Sequence, residues 1–147
     1  YLNEKFGDKI NIFNEDMMKF EYERYFKDKL IIFGNLPYNI STQILAKWIR
    51  IKNLDSFCKK FILMFQKEVA DRIIAETNTK NYGRLSILSN WKMKIERIID
   101  IEPESFKPTP KVKSTLLVFT PKEKYYNLKD AKNLEHVTNI FLVKDVK

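Results

Sequence analysis

The sequence predicts an α/β fold with a mainly parallel sheet. Two apolar runs of strand length, LIIFGN (residues 30–35) and FILMFQ (61–66), are each followed by a segment with helical apolar spacing. The 147 residues are 44% hydrophobic and 31% charged, a globular composition large enough for one ordinary domain.

Each element can be justified in turn. KINIFNED (9–16) reads as a short strand entering an acidic turn, and FEYERYFKDK (20–29) as a polar, partly helical connection. LIIFGN has the continuous apolar character of a parallel strand buried on both faces. Ser41 and Thr42 can cap the helix that follows, whose Ile44, Leu45, Trp48 and Ile49 recur at helical spacing. After the strand at 61–66, KEVADRIIAE (67–76) reads as a second amphipathic helix with Val69, Ile73 and Ile74 on one side. TNTKNYG (77–83) is a polar loop, and RLSILSNWK (84–92) a further helix. KIERIIDIEP (94–103) and STLLVFTP (114–121) read as strands. The loop between them holds no helix, so they are expected to pair antiparallel at one edge. Residues 127–147 are expected to be helical. No internal repeat or low-complexity tract interrupts this order.

Charge and rare residues narrow the function classes. The 27 Lys+Arg against 19 Asp+Glu give a net charge of +8. This suits a polyanionic partner, because basic side chains displace counterions from phosphates, though a composition bias toward Lys, Ile and Asn gives the same excess. The single cysteine, Cys58, excludes an internal disulfide and a multi-cysteine zinc site, and fits a packed or surface thiol in a reducing compartment. The single histidine, His136, has no second His or Cys to share a metal and is read as structural. No stretch reaches the roughly 20 apolar residues needed to span a bilayer. The opening segment has no signal-peptide pattern. A cytoplasmic, monomeric protein without a membrane partner is expected.

The most informative stretch is IIFGNLPYNIST (31–42), where Gly34, Asn35, Pro37 and Tyr38 cluster at the end of a strand. It can be a plain strand-to-helix connection. It can also grip the amino group of a flat base. An exocyclic adenine amine is a poor nucleophile because its lone pair is delocalised into the ring. Acceptors aimed at its two N–H groups favour a tetrahedral nitrogen with a free lone pair, which stabilises the transition state of methyl transfer. The Asn35 amide oxygen can supply one acceptor. The Leu36 or Pro37 carbonyl can supply the other, on a turn that Pro37 stiffens. Tyr38 can stack on the base, which must be everted or single-stranded to reach such a site. In an open α/β sheet such sites lie at the carboxyl ends of strands, where Asp16 and Asn35 are both expected.

NLPY after an apolar strand resembles motif IV of the N6-adenine methyltransferases. The longer FGNLPYNIST resembles the small-subunit ribosomal RNA adenine N6,N6-dimethyltransferases, the dimethyladenosine transferases, which are related to the erythromycin-resistance rRNA methylases. Further segments are similar in the family's order over roughly residues 9 to 120: NEDMMKF, MFQKEVADRI, NYGRLSIL and SFKPTPKVKS.

That resemblance implies a Rossmann-like class I S-adenosylmethionine-dependent methyltransferase core. Residues 1–121 would be its partial catalytic domain, with the N-terminal strands missing, and 122–147 the beginning of a truncated helical C-terminal rRNA-binding domain. It implies that Asp16 receives the adenine ring of S-adenosyl-L-methionine with the Met17 amide nearby, and that Asn35 faces both cofactor and target amine. Tyr38 and Phe106 would hold the adenine from two sides. Lys67, Arg72, Arg84, Lys107 and Lys111 are candidate phosphate contacts. Taken alone, Asp16 can equally cap a helix, Tyr38 and Phe106 can pack, QKEVADR can be a solvated helix with paired charges, and the basic residues can merely solubilise. The implied activity is dimethylation of N6 on two adjacent adenosines of small-subunit rRNA during ribosome biogenesis, with the immature small subunit as partner. The alternatives are a non-catalytic assembly module that binds RNA, or an adenine-N6 methylase acting on DNA or on large-subunit rRNA.

The chain departs from the family in three places. It has no glycine-rich cofactor turn: its glycines are Gly7, Gly34 and Gly83. On its own it is expected to be inactive and to bind the cofactor weakly. Lys113 stands where the family commonly has an acidic residue, and the tail HVTNIFLVKDVK departs from the expected basic run.

Overall fold

The computed structural model describes residues 2–7, 9–25 and 27–142. Two short helices, α1 (Leu2–Phe6) and α2 (Tyr22–Tyr25), precede the first strand, β1 (Leu30–Asn35). Then follow α3 (Ser41–Ile49), α4 (Leu54–Phe57), β2 (Cys58–Gln66), α5 (Lys67–Ile73), α6 (Arg84–Lys92), β3 (Met93–Ile101), β4 (Ser114–Pro121) and α7 (Ala131–Leu142). The helical expectation for 127–147 holds from Ala131 to Leu142; residues 127–130 are not helical, and residues 143–147 lie outside the described ones.

The sheet runs in the order β1-β2-β4-β3. β1 and β2 are parallel, closing on Asn35 opposite Met64. β4 inserts antiparallel to β2, from Phe61 opposite Phe119 to Gln66 opposite Ser114. β3 pairs antiparallel with β4 at the far edge, from Met93 opposite Pro121 to Ile101 opposite Ser114. The carboxyl ends of β1 and β2 and the amino end of β4 therefore share one rim.

The core forms where the helices cover the central strands. Phe61, Leu63 and Phe65 of β2 and Leu117 and Phe119 of β4 are fully buried. The predicted stripe of α3 meets them, with Ile44, Leu45, Trp48 and Ile49 all buried. The Trp48 ring lies 5.0 Å from that of Phe61. Its indole N–H donates to the Tyr22 hydroxyl at 2.7 Å, so the one polar atom of a fully buried side chain is satisfied.

Four expectations are corrected. The sheet is mixed and not mainly parallel: among the described residues β1 and β2 form its one parallel pair, and β4 pairs antiparallel on both sides. Residues 9–16 form no strand. No strand pairs with them among the described residues, and Asp16 turns the chain instead: its carboxylate accepts from the Met18 N–H and its carbonyl from those of Lys19 and Phe20. β1 is a strand, but only one face is buried. Successive side chains alternate between its faces, so Ile32 and Gly34 are half-buried toward the core while Ile31 and Phe33 stay exposed on the other face, Phe33 by 74%. Finally, neither Ser41 nor Thr42 caps α3. The N-cap is Ile40, and Ser41 donates its hydroxyl hydrogen back to the Tyr38 carbonyl at 3.1 Å.

Candidate active site

Gly34 fixes how closely the NLPY turn can leave the sheet. A Cβ there would sit 2.7 Å from Leu63 Cδ2 and 3.1 Å from Leu36 Cδ2, so any side chain at this position would force the Leu63 side chain to shift. Leu36 is buried and pins the turn from below. Asn35, one residue earlier, faces outward and is exposed at the rim.

Of the two candidate carbonyls, that of Pro37 accepts the Ile40 N–H at 3.1 Å and closes the turn. The Leu36 carbonyl carries no such bond among the described residues. Tyr38 is half-buried, and its hydroxyl shares a hydrogen bond of 2.7 Å with Ser114 Oγ. Ser114 is fully buried at the start of β4 and ends the loop that carries Phe106. The NLPY turn and that loop are thus joined directly, across 76 residues of sequence.

Phe106 is half-buried behind a single turn, Pro103–Ser105, with its N–H donating to the Pro103 carbonyl at 3.1 Å. The loop is clasped at its base. Lys113 Nζ lies 2.6 Å from Glu102 Oε1, and the Lys113 carbonyl accepts the Lys67 N–H at 2.9 Å. The Glu102 carboxylate, bonded to the ammonium, raises the Lys113 pKa above the ordinary lysine value. The lysine that departs from the family pattern therefore has a local partner in this sequence. The peptide between Lys107 and Pro108 is cis.

The candidate phosphate contacts separate into three groups. Lys67 is held 3.2 Å from Asp71 and 3.4 Å from Asp100, in a network with Arg97, which pairs with both carboxylates. The Thr115 hydroxyl donates to Asp100 at 2.7 Å and, with the neighbouring cations, holds that carboxyl below the usual range. Lys107 and Lys111 are exposed on the Phe106 loop. Arg72 and Arg84 lie elsewhere, in a cleft among the helices.

Asp16 and Met17 do not follow a strand. Their turn is fastened to the side of α3, where Lys47 Nζ donates to the carbonyls of Met17, Met18 and Phe20 at 3.3, 2.8 and 3.1 Å. The Tyr22 hydroxyl donates to Met17 Sδ at 2.9 Å. Beside this turn a cleft of about 580 Å³ runs along β1, walled by Phe13, Met17, Phe20, Tyr22, Ile31 and Phe33 among others. Sequence reasoning named neither Ser114 nor Lys47 as a site residue. Ser114 lay within a quoted segment without a role, and Lys47 looked like any solvated helix lysine.

Among the described residues no cluster of His, Cys, Asp and Glu could hold a metal ion, and no helix is long and apolar enough to cross a membrane. Cys58 is buried, which pushes its thiol up to about 12 and marks it as a packing residue.

Comparison with known proteins agrees with the resemblance. The family model described as Ribosomal RNA adenine dimethylase matches residues 1–147. A Ribosomal RNA small subunit methyltransferase A from Pelagibacter ubique is 56% identical over 140 residues, covering 95% of this chain and 53% of its own length. The protein of that name from Buchnera aphidicola is 42% identical, over 92% of this chain and 50% of its own length. The chain thus spans about half the length of the curated relatives it matches. Among solved structures, a dimethyladenosine transferase from Plasmodium falciparum is 32% identical with a TM-score of 0.66, covering 76% of this chain and 38% of that one. The 23S rRNA methyltransferase ErmE shares the fold, with a TM-score of 0.68 over 99% of this chain and 57% of its own at 20% identity. With an α/β sheet shared with methyltransferases and a match along its whole length, this chain belongs to the ribosomal RNA adenine dimethylase family.

Proposed function

We propose that the chain forms the target-base side of an enzyme that transfers methyl groups from S-adenosyl-L-methionine to N6 of adenosines in small-subunit rRNA, dimethylating two adjacent adenosines while the subunit is immature. One observation carries this reading: an exposed Asn35 beside a Tyr38 whose hydroxyl is tied to Ser114, at the end of the Phe106 loop.

The Asn35 amide oxygen accepts one N–H of the target amine. The Leu36 carbonyl, left unused by the turn, accepts the other. Both acceptors grow in value as the nitrogen becomes tetrahedral and acidic, so they act on the transition state more than on the bound base. Tyr38 and Phe106 hold the everted ring from two sides, and holding it in line with the donor supplies part of the rate. Lys107 and Lys111 meet phosphates beside the base.

The residues present fit one part of the cofactor. The outer carboxylate oxygen of Asp16 and the Met17 amide would hold its adenine edge, with aromatic Phe13, Phe20 and Tyr22 lining the adjoining cleft. Asn35 would face its methyl-bearing end. When bound, the cofactor supplies an electrophilic methyl group on a sulfonium. The segment 122–147, including α7, belongs on this reading to the beginning of an rRNA-binding helical domain.

The test is Asn35→Ala in a polypeptide of the relatives' length that carries these residues. Transfer of labelled methyl groups to immature small subunits should fall at least about 100-fold, with binding to those subunits largely kept. Near-unmodified turnover would refute the role of Asn35. Subunit binding without any transfer by the unmodified protein would favour the non-catalytic assembly reading.

A further inference from the structure

We propose that the helical face carries a phosphate-binding track for a second segment of RNA, separate from the segment that presents the target base; this rests on rRNA being the substrate.

Two clefts share Arg50, the C-cap of α3. The larger, about 710 Å³, lies between α3, α5 and α6, and its wall contains Lys47, Arg50, Arg72 and Arg84 without one Asp or Glu. The second, about 300 Å³, lies past the end of α3 and adds Lys52, Lys92, Lys129 and Lys132. Its one acidic residue, Asp130, is engaged locally, accepting the Lys132 backbone N–H at 2.8 Å. The clefts therefore form a continuous cationic path from α5 and α6 to the approach of α7.

The path combines pinned charges with exposed ones. Lys47 is pinned by three carbonyls, and buried Lys92 donates to the Ile51 carbonyl at 2.8 Å while lying over the Trp91 and Tyr125 rings. Around them Arg50, Lys52, Arg72, Arg84, Lys129 and Lys132 are exposed. Arg72 has no ion-pair partner among the described residues. The floor of the larger cleft is aliphatic, from Ala46, Val69, Leu85 and Leu88, and holds no aromatic on which a base could stack. Such a surface follows a backbone and does not read bases.

Its position separates it from the target segment. Lys92 adjoins Met93, which pairs with Pro121 at the end of the sheet away from the Ser114 rim. At about 3.3 Å per residue, the eight residues of β4 put that end roughly 25 Å from Tyr38 and its bonded Ser114. Phosphates on the far part of the track thus belong to another helix of a folded RNA.

The test compares two RNAs on the full chain: a short hairpin presenting an unpaired loop with adjacent adenosines, and the same loop joined to a second helix. Combined Arg50→Ala, Lys52→Ala and Lys129→Ala should lower affinity for the longer RNA at least tenfold. The salt dependence of log Kd should flatten by about 2 to 3, at about 0.9 per lost duplex phosphate. Binding of the short hairpin should stay within twofold. Arg50→Lys alone should keep the longer RNA bound as the unmodified chain does, and circular dichroism should show all variants folded. Unchanged binding of the longer RNA, or equal loss on both RNAs, overturns the track and leaves the rRNA reading standing. If the unmodified chain binds neither RNA, the rRNA reading falls and the track with it.

Discussion

Replacing Gly34 by Ala tests how the sheet positions the NLPY turn. The added methyl would lie 2.7 Å from Leu63 Cδ2, about 1 Å inside the 3.5–4.0 Å at which carbon atoms attract. The contact is with the end of the Leu63 side chain, which is fully buried and must shift to make room, and Leu36 Cδ2 and Cγ lie 3.1 and 3.2 Å from the same point. Overpacking of this kind costs roughly 1–3 kcal/mol. The loss of chain entropy in the unfolded state returns about 0.4–1 kcal/mol, leaving a net loss of about 1–2 kcal/mol. For 147 residues the unfolding entropy is about 0.3 kcal/mol/K, so Tm should fall by roughly 3–6 °C. Thermal unfolding followed by circular dichroism measures it. A Tm equal to or above that of the unmodified chain would show that β1 has slack at this point and refute the close-approach argument.

Cys58 should make stability fall in alkali. Its folded pKa is raised from 9.0 to about 12, so its contribution is intact below pH 9 and is lost as the unfolded thiol ionises first. At pH 10.5 the loss is on the order of 2 kcal/mol, read as the difference in urea midpoint between the unmodified chain and Cys58→Ala across pH 8 to 11. Ser114→Ala and Tyr38→Phe should each cost about 1 kcal/mol, and the double variant little more than either alone; additive losses would show the hydroxyls are not coupled. Trp48→Ala should cost about 3–5 kcal/mol and lower the cooperativity of urea unfolding, whereas Trp48→Phe should leave Tyr22 without its indole donor and cost less.

The parts of the fold legible in the sequence were those fixed by local pattern. The α6 boundaries, Arg84–Lys92, coincide with the predicted segment, and the four apolar residues of α3 all reached the core. The antiparallel pairing of the last two strands followed from the lack of an α-helix in the loop between them. What failed depended on neighbours. KINIFNED has the alternation of a strand, but a strand needs a partner's backbone groups, and here the side chain of Asp16 satisfies its own turn. LIIFGN is apolar up to Asn35, yet apolar composition cannot say whether both faces will be covered, and Phe33 is exposed. At the candidate site, the strand-to-turn position of Asn35 and Tyr38 could be read locally. The bond from Tyr38 to Ser114 and the pairing of Lys67 with Asp100 could not, because each joins residues distant in sequence.

The insertion of β4 between β2 and β3 bears on synthesis. A ribosome emitting this chain releases Tyr38 long before Ser114, and β2 keeps an open edge until β4 arrives to fill it. Until then nothing can tether the phenol or seat the Phe106 loop. A nascent polypeptide halted anywhere before β4 therefore cannot assemble the rim, however well its first helices have folded.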